Sequence, residues 1–365
     1  MKGLNINGLE SKIPLIQGGM AVGISLDRLS SAVANEGGIG VIGTAGIGMF
    51  FEEYGKDYKA ACIEGLKKVI TGARQKTSGI IGVNIMAALS NYSDMVRTAV
   101  EEKIDLIISG AGLALDLPSY LMAGTKTRII PIVSGLRAAT LIFKRWFSRY
   151  GYIPDAFIVE GPKAGGHLGY KKENIYSEEH QLENTVPQVR ELCEKIKREF
   201  GKEVPLIAAG GIYDHTDVEA MFKLGADGVQ AGSVFIATQE CDADIKFKNT
   251  IVNASKEDIV IIDSPVGMPG RAVRNKFLED VGKGIKKPVN CAYRCIKTCN
   301  MKDAPYCIAR ALSNAARGDM ENGFAFIGQE GFRVNQISTV KEVIERLFPG
   351  YEKESYLGGK NGTEN

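Results

Sequence analysis

The sequence predicts an α/β fold, a TIM (β/α)8 barrel with a small inserted α+β subdomain near the C-terminus. Three observations predict it. Short β-branched apolar runs alternate with longer amphipathic stretches as far as Phe235. The runs are apolar throughout, which parallel strands buried on both faces require. Their near-even spacing and their number favour a closed barrel over a doubly wound open sheet.

Taken in order, the strand runs are Ile13–Gln17, Ile39–Ile42, Ile80–Asn84, Leu106–Ser109, Arg128–Val133, Ala156–Glu160, Pro205–Ala209 and Gly228–Ala231. Helical patterns lie between them at Leu26–Asn35, Tyr58–Arg74, Ser93–Glu102, Ala138–Ser148, Val186–Phe200 and His215–Leu224. Two intervals are longer, one after Ile39–Ile42 and one after Ala156–Glu160. The barrel is expected over 1–239. Residues 240–302 carry one strand-like run (Ile259–Asp263), a turn-rich stretch with Pro265, Pro269 and Pro288, and a cysteine cluster. This is the predicted inserted subdomain. Helices at Ala304–Arg317 and Val340–Leu347 are expected to pack back on the barrel within 303–350, and the polar tail over 351–365 to fray.

Composition narrows the function. The chain has 365 residues and 45 Lys+Arg against 43 Asp+Glu, a net charge of +2, which argues against nucleic-acid or membrane partners. No long apolar run or apolar N-terminal signal occurs, so a cytoplasmic location is expected. The 43 glycines fall at the ends of apolar runs, where tight turns or close approach to a ligand need them.

In a barrel of this kind the active site lies at the C-terminal ends of the strands, with a phosphate site after strands 7 and 8. Here those strands end in Ala209-Gly210-Gly211 and Gln230-Ala231-Gly232-Ser233, small residues whose backbone N–H groups can reach an anion. Of the three histidines, His167 follows strand 6 between glycines and the barrel mouth, where an imidazole can act as acid or base. His180 and His215 are expected to face solvent. Asn84 ends strand 3 with an amide suited to the edge of a heterocycle. Gln17-Gly18-Gly19-Met20 and Ser109-Gly110-Ala111-Gly112 leave room for a flat ring, and Ser134 after strand 5 offers a hydroxyl. The run Gly38-Ile39-Gly40-Val41-Ile42-Gly43 matches a dinucleotide fingerprint in form only, because its glycines interrupt a strand instead of opening a helix. Cys291, Cys295, Cys299 and Cys307 lack zinc-ribbon or ferredoxin spacing. Plain reduced thiols are expected and no metal, with an iron–sulfur or zinc site as the alternative.

Together, Ile13–Met20, Gly82-Val83-Asn84, Glu160–His167, Ala208–Ile212 and Gly225–Phe235 resemble the nitronate monooxygenase (2-nitropropane dioxygenase) family, which includes the FMN-dependent enoyl-acyl-carrier-protein reductases. The resemblance spans roughly 13–240. It implies non-covalent FMN, with Met20, Asn84, Glu160, Gly165, Gly211, Gln230, Gly232 and Ser233 around the flavin and His167 as the catalytic residue; Gly19, Ser134 and Gly210, read above from their own positions, are expected to join them. It implies an oxidoreductase acting on alkyl nitronates. Glu160-Gly161 and Val266–Asn275 look more like the reductase branch, which implies NAD(P)H, an enoyl thioester or quinone, and Arg271 or Arg274 meeting an anionic cofactor or carrier arm. Lys163 departs from both branches, which usually place an acidic residue there. The partners expected are a small-molecule substrate and, for assembly, a second copy of the chain.

Overall fold

The computed structural model describes residues 2–51, 57–285, 287, 291 and 293–351. Pro288 and the predicted tail beyond Tyr351 lie outside the described residues. A short antiparallel hairpin, β1 (Asn5–Ile6) and β2 (Leu9–Glu10), precedes the barrel. The barrel strands are β3 (Leu15–Gln17), β4 (Gly40–Gly43), β5 (Ile81–Met86), β6 (Leu106–Gly110), β7 (Arg128–Val133), β8 (Phe157–Glu160), β10 (Leu206–Ala209) and β11 (Gly228–Ala231). All pair in parallel, in the order β3-β11-β10-β8-β7-β6-β5-β4.

A parallel bridge between Ile16 and Ile39 closes the ring between β3 and β4. Gln17 N donates to Ile39 O and Ile39 N to Leu15 O, both at 2.9 Å. The Gln17 side chain completes the seam, its Oε1 accepting from Val41 N at 2.9 Å. Side chains alternate across each strand. Ile16, Ile39, Val41, Leu106, Ile108, Ile130, Ile158 and Ile207 fill the interior, with Leu4 and Ile6 of the hairpin packed among them. Leu15, Ile42, Ile107, Ile129, Phe157, Val159 and Leu206 face outward to the helices.

The helical ring is α1 (Asp27–Asn35), α2 (Tyr58–Lys76), α3 (Tyr92–Glu101), α4 (Leu136–Tyr150), α5 (Leu182–Phe200), α6 (His215–Lys223) and the single turn α7 (Ser233–Ile236). The glycine-rich stretch before residue 44 is a strand, as its context implied. A Cβ on Gly40 would stand 1.8 Å from Ser30 O, so glycine there lets α1 pack on β4.

Beyond the barrel come α8 (Ile245–Val252), β12 (Ile259–Asp263), β13 (Pro269–Val273), α9 (Lys276–Gly282), α10 (Ile308–Ala316) and α11 (Val340–Leu347). Residues 265–273, read from sequence as turns, include a full strand, because β13 is held on both sides. It pairs antiparallel with β12 and with β9 (Gly166–His167), a two-residue strand from the connection after β8. The segment after residue 240 and the barrel therefore share a sheet. Asp242 ties them further, its carboxylate accepting from Leu26 N at 2.7 Å and Leu29 N at 3.2 Å at the start of α1. Helices α8 and α9, of 8 and 7 residues, are not expected from the sequence. Among the described residues no helix is long and apolar enough to cross a membrane.

Candidate active site

A cavity opens at the C-terminal ends of the barrel strands. The alternation that sends Ile158 inward sends Glu160 inward too, and the same count places Asn84 and Gln230 on the inner face at the mouth. Gly19, Met20, Asn84, Glu160, Gly165, His167, Gly210, Gly211, Gln230, Gly232 and Ser233 all line this cavity. Ser134 does not line it. Its carbonyl oxygen instead accepts from the Tyr170 hydroxyl at 3.1 Å, the same hydroxyl that donates to Glu160 O at 2.6 Å.

The loop that carries His167 is fixed from three sides. Gly161 N donates to Ala209 O at 2.8 Å, and Ala164 N to Gly161 O at 3.1 Å. Arg271, 2% exposed, donates through Nη1 to Pro162 O and Ala164 O, both at 2.6 Å. Its guanidinium is thus a brace for this loop. Arg274 lies at the surface and pairs with Asp258 at 3.4 Å. Neither arginine lines the cavity, and Arg271, buried against the loop, does not meet a ligand there, contrary to the expectation. Gly165 must be small, since a Cβ there would stand 2.5 Å from the Ile327 carbonyl carbon.

His167 Nε2 lies 2.8 Å from Ser264 Oγ, and the ring meets Phe326 edge-on at 5.0 Å between centroids. Val266 N donates to the same hydroxyl oxygen at 3.4 Å, so the Ser264 O–H remains available to the ring. Burial lowers the His167 pKa to about 4, so the imidazole is neutral at pH 7. The ring faces the mouth, as the sequence reading expected, with Phe326 and the turn at Ser264 packed against it. His180 and His215 pair with Glu179 and Glu219, both at 3.4 Å, and neither lines the cavity.

Burial pushes the Glu160 carboxyl up to about 7, with no hydrogen bond opposing it. A carboxyl raised this way binds its proton more tightly folded than unfolded. Its contribution to stability is therefore greatest in acid and falls as pH rises towards 7. Glu160→Gln should remove that fall, so the difference in melting temperature between wild type and variant should change between pH 5 and pH 8. A constant difference would mean that Glu160 is already ionised in the fold.

The cavity also has walls that sequence reading missed. Phe326, Ile327, Gly328, Val266, Ile308 and Ala309 roof it from the C-terminal segment. Gly328 N donates to Ser233 Oγ at 2.8 Å and Gln329 N to Lys163 O at 2.9 Å, which straps the roof to the loops after β11 and β8. The run Phe324–Gly331, with glycines closing an apolar stretch, was the available signal. The residues present fit a flat heterocycle with an anionic arm. Gln230 Oε1 is buried without a partner, and the side chains of Asn84 and Glu160 stand at the same mouth. Gly210 and Gly211, at φ 103° and 85°, hold a left-handed turn at the end of β10.

A family model for nitronate monooxygenase matches residues 5–350. A probable nitronate monooxygenase of Staphylococcus aureus (strain Newman) is 26% identical over 309 residues, covering 75% of this chain and 79% of that one. Among solved structures, FabK from Thermotoga maritima superposes with a TM-score of 0.70 at 29% identity, covering 96% of both chains. Nitroalkane oxidase from Streptomyces ansochromogenes gives a TM-score of 0.70 at 19% identity over 95% of this chain and 98% of that one, a likeness of fold alone. The matched span takes in every barrel strand, the His167 loop and the roof strapped over it, and by that match the chain belongs to the nitronate monooxygenase family.

Proposed function

We propose that this protein is an FMN-dependent oxidoreductase that oxidises alkyl nitronates with molecular oxygen, which supplies the carbonyl oxygen, to the carbonyl compound and nitrite. The observation that carries the reading is the convergence of His167, Glu160, Asn84 and the orphaned Gln230 Oε1 on one cavity of a nitronate monooxygenase family chain. Gly210, Gly211, Gly232 and Ser233 would hold the phosphate through backbone N–H groups, and Asn84, Glu160 and Gln230 the edge of the ring. FMN, when bound, supplies the electron acceptor for the nitronate.

The residues of the chain do the rest. A nitronate has already lost its carbon-bound proton, so the reaction asks for an anion to be held, not for a strong base. A neutral imidazole suits that task, because its N–H can donate to a nitronate oxygen without a proton being transferred first. Ser264 fixes the ring's rotation. Phe326 and Val266 exclude water and so strengthen each polar contact inside.

A second reading, NAD(P)H-driven reduction of an enoyl thioester, is favoured by the full-length likeness to FabK. An anaerobic titration separates the two. The oxidised flavin band should bleach on addition of an alkyl nitronate and stay intact with NADH. Rapid bleaching by NADH with no response to nitronate would overturn the proposal in favour of a reductase.

A further inference from the structure

Four cysteines between 291 and 307 remain outside this mechanism, and one of them reaches the cavity. Cys295, 8% exposed, lines the cavity itself. It packs with Met49 and Ala309, and Cys307 and Tyr293 pack against that group, so the sulfurs sit in apolar surroundings. Their backbone is anchored to the loop after β5. Ser90 N donates to Cys295 O at 3.0 Å, Lys297 N to Ala88 O at 2.9 Å, and Leu89 bridges Ile296. Arg294, at φ 44°, makes a left-handed turn between Cys291 and Cys295, and its N–H donates to Cys291 Sγ at 3.4 Å. Cys307 is the N-cap residue of α10.

Cys299 follows on the next turn, its N–H donating to Ile296 O at 3.4 Å. Among the described residues no three Cys, His, Asp or Glu side chains close tightly enough on a point to hold one metal ion. Zinc draws its thiolates to about 2.3 Å from one ion, commonly from C-x2–4-C pairs, and although Cys291/Cys295 and Cys295/Cys299 have that spacing, no such closure on a single point is present among the described residues. A multinuclear core spreads its ligands more widely and takes one thiolate per iron.

We propose that Cys291, Cys295, Cys299 and Cys307 ligate a 4Fe–4S cluster set into the wall of the active-site cavity. Ligation by four cysteine thiolates, an apolar surround and an N–H donated to a ligand sulfur are the features such clusters use. The site stands independently of the flavin reading, since none of the four thiols belongs to the proposed ring or phosphate contacts.

Protein purified without air, or reconstituted with ferric iron, sulfide and dithiothreitol, should carry about four iron and about four acid-labile sulfide per chain. Dithionite should then produce a low-temperature EPR signal, which fully reduced flavin cannot give because it has no unpaired electron. Cys299→Ser and Cys307→Ser should each lose most of the iron and sulfide while flavin content is kept, and Cys193→Ala, on α5, should retain both. Zinc without sulfide in the purified protein, reconstituted wild type with less than about one iron per chain, or iron unchanged in both serine variants would each overturn the proposal.

Discussion

His167→Ala should bind FMN as wild type does and turn nitronates over ~10²–10³-fold more slowly, the usual cost of losing one preorganised hydrogen-bond donor to an anion. The imidazole is held by Ser264 at 2.8 Å and by Phe326, and it does not brace the loop, which hangs instead on Arg271 and on backbone bonds to Ala209. Its removal therefore takes away a hydrogen-bonding group at the mouth and leaves the cavity standing. The flavin-to-protein absorbance ratio and kcat are measured on the same sample, and an unchanged kcat removes His167 from the reaction. The pH profile adds a second check. With its pKa lowered to about 4, His167 stays neutral from mildly acid to alkaline pH. Any break near neutrality belongs to Glu160, raised to about 7, and should vanish in Glu160→Gln while persisting in His167→Ala.

Gly232→Val should fold normally and purify largely without flavin. A Cβ at Gly232 finds Met20 Sδ at 3.8 Å and Met20 Cγ at 4.0 Å, ordinary contact distances, so the side chain enters open space without pushing on the protein. That space is the approach to the N–H groups after β11. Losing two charge-assisted hydrogen bonds, at about 1.5–3 kcal/mol each, lowers affinity by roughly 10²-fold or more. An unchanged far-ultraviolet spectrum with little flavin is the expected pair of readings. Full flavin content would remove this loop from the phosphate site. Gly210→Val is the poorer test, because at φ 103° its Cβ would stand 3.0 Å from Ala164 N and Gly161 O and disturb the fold itself.

Much of the site was legible because the barrel obeys a period of two. Once Ile158 is inside, Glu160 must be inside, and the same parity places Asn84 on β5 and Gln230 on β11. The glycines after β10 and β11 could be read because little else fits a backbone that must approach a ligand. Ser134 misled because a residue just past a strand end has left the alternation; its loop turns it away, and Tyr170 takes its carbonyl. Arg271 misled for a different reason. Sequence shows a charge in a turn-like stretch, and only the packing of β13 against β9 buries that charge under the His167 loop.

What the sequence by itself determined is the barrel, its strand order and the polar residues at its mouth, because those follow from local apolar runs and short-range periodicity. Only the tertiary structure decided that Phe326 and Ser264 pack against His167, that Gly328 is strapped to Ser233, and that Cys295 and Cys307 share one pocket. Those contacts join segments far apart in the chain or segments lacking a regular hydrophobic period. They form because the roof can bury its apolar face only against a barrel mouth that is already built.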